Sequence, residues 1–288
     1  GSDLFSKIGC RDAKDKYSHL KMVMAVGLVM GLHAAYEIFV GGVEISLNII
    51  MTYLPVSLLY IGSMAMGYLG LRYIELSISS PICNSSGALV AVMTLFMVGF
   101  SEYSPLALGA VALVCVGAIG LGVVDYFEDE DLRAERQKAS NYKYAKSLIA
   151  LALPVAYCIL DAVGTFADNR VLEVLNEDSA NVAYELTFLF VGVICFIYVV
   201  LIKKDRLVPK MEAPKYIGAV CETAGQFAYI YAIADTEHLA MSAPIISSYC
   251  AASVLWSRIF LKEKLSFKHY MMIILIVIGI AIMGFLDM

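Results

Sequence analysis

The 288-residue sequence predicts an all-α integral membrane protein, built as an inverted five-plus-five helix repeat with nine spans visible and the first helix missing. Three observations carry that expectation. Apolar residues make up 60% of the chain against 16% charged, and the mean hydropathy is +0.76. Soluble domains hold roughly 45–50% apolar and about 25% charged residues, so a soluble fold of this length could not cover so much apolar surface. Nine stretches are long and apolar enough to cross a bilayer, with basic residues almost entirely on one side of them. The chain also resembles itself at a shift of 161–163 residues.

A spanning helix needs about 20 mainly apolar residues. The nine stretches are 19–40, 53–76, 79–100, 104–124, 146–167, 183–202, 215–236, 240–260 and 268–286. Pro81, Pro105 and Pro244 fall at or near predicted helix starts, where a missing N–H costs least, and Pro154 falls inside a span. The longest polar stretch, DYFEDEDLRAERQKASNYKYAK at 125–146, marks a boundary. It divides a first transporter-like repeat (1–124), a linker (125–145) and a second repeat (146–288). The acidic run Glu128–Asp131 reads as solvated linker rather than a metal site, and no metal or cofactor is expected.

Lys and Arg placement sets topology, because cytoplasmic loops carry the excess of basic residues. Numbering the loops alternately, one side collects 20 of the 21 basic residues and the other only Arg170. Miscounting one helix would scramble that split. It predicts a multi-pass protein of the cell membrane, with residue 1 cytoplasmic and residue 288 outside. The seven cysteines show no CxxC spacing and read as small apolar packing residues.

The internal repeat pairs Ser79–Ile82 (SSPI) with Ser242–Ile245 (SAPI), each opening a predicted span. Each span ends in an acidic turn, SEYS at 101–104 and KEKLS at 262–266, and leads to a Gly-containing final helix. The second half has five spans and the first four. Extending the register backwards sets Gly1–Gly9 opposite 162–170, the exit of a helix, so about 20 further residues forming a tenth span are expected before Gly1.

These motifs are similar to those of the drug/metabolite transporter superfamily, and the chain resembles its EamA-like family over essentially its whole length. The S-x-P-I openings, the acidic residues Glu102 and Glu263, and SRIFLKEKLSFKHY at 257–270 carry the resemblance. They are structural rather than chemical. The resemblance implies a secondary transporter moving a small metabolite by alternating access, coupled to an ion gradient or to exchange. The absent first helix departs from that pattern and puts one wall of a central cavity in doubt.

Ionisable groups at membrane depth are costly and so mark candidate function. His33 and Glu37, Tyr157 and Asp161, and Glu222 and Gln226 each lie four apart on one helix face. Tyr249 sits near the middle of its span, and Asn84 just inside the end of its own. The expected substrate site is a cavity bounded by His33, Tyr157, Gln226, Tyr249 and Asn84. Asp161, Glu222 and Glu37 are expected to bind a cation or take part in coupling. Each has a plainer reading: Glu37 solvated near the outer surface, His33 bonded to a carbonyl, Asn84 as interhelical glue. Arg72 and Glu75 read as a surface ion pair. Acids without a deep Lys or Arg favour a cationic or zwitterionic solute. The expected partners are that solute and membrane lipid, with no nucleic acid, and a homodimer is left open. No G-x-S-x-G and no H-E-x-x-H occurs, which argues against an intramembrane enzyme. A passive channel using the same cavity stays open.

Overall fold

A computed structural model describes residues 1–12, 14–98, 104–139, 144, 146–172, 174–234 and 249–286. Among the described residues there is no strand, so the all-α expectation holds. The helices are α1 (Ser2–Cys10), α2 (Ser18–Tyr36), α3 (Leu47–Gly70), α4 (Leu76–Cys83), α5 (Ser86–Val98) and α6 (Pro105–Phe127). They continue as α7 (Glu130–Arg136), α8 (Leu148–Val171), α9 (Glu177–Phe196), α10 (Pro209–Ala234), α11 (Tyr249–Trp256) and α12 (Phe267–Leu286).

Among the described residues, six helical segments are long and apolar enough to cross a membrane: Ser18–Gly41, Leu47–Gly70, Pro105–Phe127, Leu148–Asp168, Glu177–Ile202 and Phe267–Leu286. The difference from the nine expected has local causes. The described part of the stretch 79–100 is two helices, broken at Asn84 and Ser85, and Pro81 lies inside α4 rather than opening a span. Of the stretch 215–236, the described residues belong to α10, which is long enough but carries Lys210, Glu212, Lys215 and Glu222. Of 240–260, the structure describes α11 and the turn that follows it, and Ser242–Ile245 lie outside the described residues, as does Glu102.

Helix ends explain the shifted boundaries. α3 begins six residues before the expected start because the Ser46 hydroxyl accepts from Ile49 N at 3.3 Å, closing an N-cap. α9 begins at Glu177 because Asn176 caps it, accepting from Asp178 N at 2.9 Å, and its polar first turn conceals a helix start from hydropathy. α2, α9 and α11 each end in a widened π turn, over Glu37–Gly41, Ile197–Ile202 and Ser257–Leu261. A left-handed residue follows each: Gly42 at φ 73°, Lys204 at 54° and Lys262 at 57°. In all three an N–H reaches back six residues, as from Glu263 N to Ser257 O at 3.2 Å, satisfying a helix-end carbonyl.

The chain forms two compact units: residues 1–72 with 163–226, and residues 73–162 with 227–288. In the first, α2 packs along α9, and α9 also packs on α3. The approach is close because Gly27 and Gly192 face each other: a Cβ on Gly27 would lie 2.6 Å from Phe188 O. In the second, α6 packs along α12, and α4 packs on α11. Here Gly117 and Gly279 set the distance, with a Cβ on Gly279 falling 2.7 Å from Ala110 O. Small residues at such contacts let helices gain van der Waals packing where lipid supplies no hydrophobic drive.

The two units also carry polar clusters next to their helix ends. In the first, the buried Lys215 Nζ lies 3.0 Å from Asp15 and 3.1 Å from Glu212, while Lys21 Nζ lies 3.0 Å from both Asp15 and Asp205. Burial works to raise the Asp15 pKa, but the Lys215 and Lys21 ammonium groups outweigh it and hold it below the ordinary value. In the second, Arg136 pairs with Glu75 at 2.7 Å, with Glu128 at 2.8 Å and with Asp125 at 3.3 Å. Arg72 donates to Lys16 O at 2.9 Å and to Ser18 Oγ at 2.7 Å. The linker is only partly solvated: Asp129, Glu130 and Asp131 are exposed, whereas Glu128 and Arg133 are buried. Asp125, Glu128 and His269 lie close enough to hold a metal ion, yet Arg133 and Arg136 already hold the two carboxylates. Two guanidinium groups at those oxygens make this an ion-pair network rather than a cation site.

Candidate functional site

Within the first unit, the groups at depth gather around α2 and α9. His33 Nδ1 donates to Glu185 Oε1 at 2.9 Å, and His33 Nε2 lies 3.6 Å from Glu37 Oε1. At 1.5 Å of rise per residue, Glu185 lies about 12 Å along α9 from Glu177 and His33 about 22 Å along α2 from Ser18. Glu185 is 1% exposed, which is why a cationic partner matters: an unpaired carboxylate there would carry its whole desolvation cost. His33 and Glu37, expected on one helix face, lie within ion-pair distance, and Glu185 joins them from α9. Sequence reading missed Glu185 because it started this span at residue 183, which left the acid near the surface. The capped polar turn from Glu177 puts it more than two turns inside.

A second acid was also read as a helix exit. Asp168 accepts from Tyr53 OH at 2.7 Å and from Tyr60 OH at 3.3 Å, and Tyr60 stacks edge-on with Tyr184 at 6.1 Å. The signal available in the sequence was the seven-residue spacing of Tyr53 and Tyr60, two turns on one helix face, opposite an i, i+3 pair of Thr165 and Asp168. Glu222 and Gln226 are half-buried on α10, and the Ser2 hydroxyl donates to Glu222.

The second unit holds Asn84, Tyr157, Asp161 and Tyr249. Asp161 lies about 20 Å along α8 from Leu148, and the Ser86 hydroxyl hydrogen-bonds its carboxylate. Ser86 is the first residue of α5, immediately after the break between α4 and α5. Asn84 caps that break from within: its Nδ2 donates to Ser80 O at 2.8 Å. Cys83 and Pro154 O, 4.0 Å apart, mark the contact of the α4 end with α8. Tyr157 is half-buried one turn before Asp161, and Tyr249 opens α11 at 45% exposure. Irregular backbone at membrane depth is tolerated where it is buried in protein or lines a cavity, so an acid beside a helix break is a notable pairing.

The acidic turn of the second half has a structural task. The Glu263 carboxylate accepts from Leu76 N at 3.2 Å, Ser77 N at 3.0 Å and Ser77 Oγ at 2.8 Å, capping α4. The left-handed Lys262 turns the chain so that Glu263 points there.

Residues 147–285 match the EamA-like transporter family. This half of the chain is an EamA-like transporter region. No curated protein matches the chain. The EamA-like region spans α8 to α12 and holds Asp161, Glu185, Glu222 and Tyr249, while His33 and Ser86 lie before it. Together with six apolar helices of spanning length among the described residues, the match supports a multi-pass membrane protein, and members of the matched family are transporters of small solutes rather than enzymes.

Proposed function

We propose that the protein is a secondary transporter that moves a small cationic or zwitterionic metabolite by alternating access, with proton coupling or exchange. The observation that carries this reading is the set of carboxylates inside helices of spanning length, above all Asp161, which bonds a hydroxyl and pairs with no basic side chain among the described residues. A carboxylate at membrane depth needs a cation or a proton, and a cargo ammonium group or a transported proton supplies either. Asp161 and Glu222 are the coupling or cation-binding groups of this proposal, with Glu37 and the newly placed Glu185 beside His33. Tyr157, Gln226, Tyr249 and Asn84 bound the solute.

The nine spans and the inverted five-plus-five repeat, divided at 124 and 146, belong to the same proposal. Gly117 and Gly279 support the repeat: they are 162 apart, inside the sequence register, and each lies where its helix meets the other's. The Lys/Arg split supports a cytoplasmic residue 1 in a cell membrane.

A thermal-shift screen of amines, amino acids and nucleosides on purified protein, followed by counterflow in proteoliposomes, tests the function. Stabilisation by an amine and exchange of labelled for unlabelled solute are expected. Solute flux without counterflow would identify a passive channel instead.

A further inference from the structure

The second unit carries an apolar groove between α11 and α12 that has no part in the proposed transport site. Its volume is about 300 Å³, and Ala251, Val254, Leu255, Ile273, Val277 and Ile278 line it. Arg258 and Tyr270 close one end. The Arg258 guanidinium lies 5.5 Å from the Tyr270 ring centroid, and its Nη1 donates to Tyr270 OH at 2.9 Å. No carboxylate pairs with Arg258 among the described residues. The one acid nearby in sequence, Glu263, is buried and committed to the α4 N-terminus. Lys262 and Lys268, both exposed, belong to the same loop end as Arg258.

We propose that this groove binds one anionic phospholipid, an acyl chain lying along α11 and α12 and the phosphate meeting Arg258. The lining is apolar except at the end that holds a guanidinium already oriented by stacking and one hydrogen bond, with its remaining donors open. A planar fork of that kind matches a phosphate better than an ammonium does. The surface next to the groove is made for lipid: Trp256, Ile259 and Phe260 are exposed, and aromatic residues of this kind collect at the membrane interface. By the proposed topology this end is cytoplasmic, where anionic lipids are concentrated and basic pockets between helices hold their headgroups. A second copy docked here across a two-fold axis would bring Arg258 towards its own image with no acid in the groove to pair with it.

Native mass spectrometry of the full chain in detergent tests this, with phosphatidylglycerol or phosphatidylcholine of identical acyl chains added in turn. Phosphatidylglycerol is expected to be retained at least tenfold more tightly. Arg258→Gln should shrink that preference to under threefold, and Arg258→Lys should keep part of it. Lys203→Gln removes another exposed cation lying 5.2 Å over a tyrosine ring, that of Tyr198, in the other unit and with no part in the groove's lining, and should leave the preference intact. Inorganic phosphate at millimolar concentration should not displace the lipid, since it lacks the chain. Equal retention of the two lipids, equal effects of Arg258→Gln and Lys203→Gln, displacement by phosphate alone, or a dimer whose lipid adducts show no preference would each overturn the proposal. None of these readings depends on which solute is transported.

Discussion

Asp161 and Glu185 are both acids inside apolar helices, yet the two units treat them differently. Glu185 faces an imidazole that can become a cation, with Glu37 on that ring's other nitrogen. Asp161 has a hydroxyl from a helix break and no basic partner among the described residues. A carboxylate beside an ionisable base can have its charge answered within the protein, whereas one facing only a hydroxyl is answered by something that comes and goes. The difference teaches where to look for cargo or proton: at the acid whose partner is neutral. The buried Asp15, lying between Lys21 and Lys215, is the opposite limit, an acid answered twice.

The largest effect is expected at Asp161. Asp161→Asn should lower solute exchange by about 100-fold, the scale of roughly 2.8 kcal/mol at 1.4 kcal/mol per decade, because the charge that answers a cation is gone. Its thermal midpoint should stay level or rise, since an uncompensated carboxylate is removed. Proteoliposome exchange and thermal unfolding measure the two. Lost exchange together with a large loss of stability would make Asp161 a structural residue and break the comparison.

A smaller effect is expected at the paired acid. Glu185→Gln and His33→Gln should each cost stability, and the double variant should cost less than their sum, with a coupling of about 1–2 kcal/mol. Denaturant unfolding of the four proteins measures it. A coupling near zero would mean that the 2.9 Å contact contributes nothing and that Glu185 is as unanswered as Asp161.

These contrasts were legible in the sequence only where they lie on one helix. The i, i+4 spacing of His33 and Glu37 is visible because helical geometry is local. Glu185 reaches His33 only through the close approach of α2 and α9 at Gly27 and Gly192, and that is a tertiary fact. The all-α membrane class was legible because hydropathy is summed over long windows, which tolerate errors at the ends. The break between α4 and α5 was not, because apolar residues flank Asn84–Ser86 on both sides and a window averages across them. Capping governs the helix starts, so Asn176 moved the start of α9 by nearly two turns and set Glu185 deeper within a helix of spanning length. Asp161 stood out in the sequence as an acid among apolar residues, while its partner Ser86, seventy-five positions earlier, did not.

The smallest effect belongs to the acid that is answered twice. The Asp15 pKa is held below the ordinary 3.8, so its contribution to stability is complete above that value and is lost as pH falls through the lower folded value. Asp15→Asn should therefore be less stable than the parent at pH 6–7, by about 1 kcal/mol, the net worth of a buried hydrogen bond. The loss stays modest because Glu212 remains 3.5 Å from Lys21 and 3.1 Å from Lys215. The gap should stay constant down to about pH 5 and close below about pH 4, as the parent's own Asp15 takes up its proton. Thermal midpoints of both proteins across pH 3–7 follow that gap. A gap already closing at pH 6 would place Asp15 among acids that are poorly answered, and proximity to two ammonium groups would then not be what separates it from Asp161.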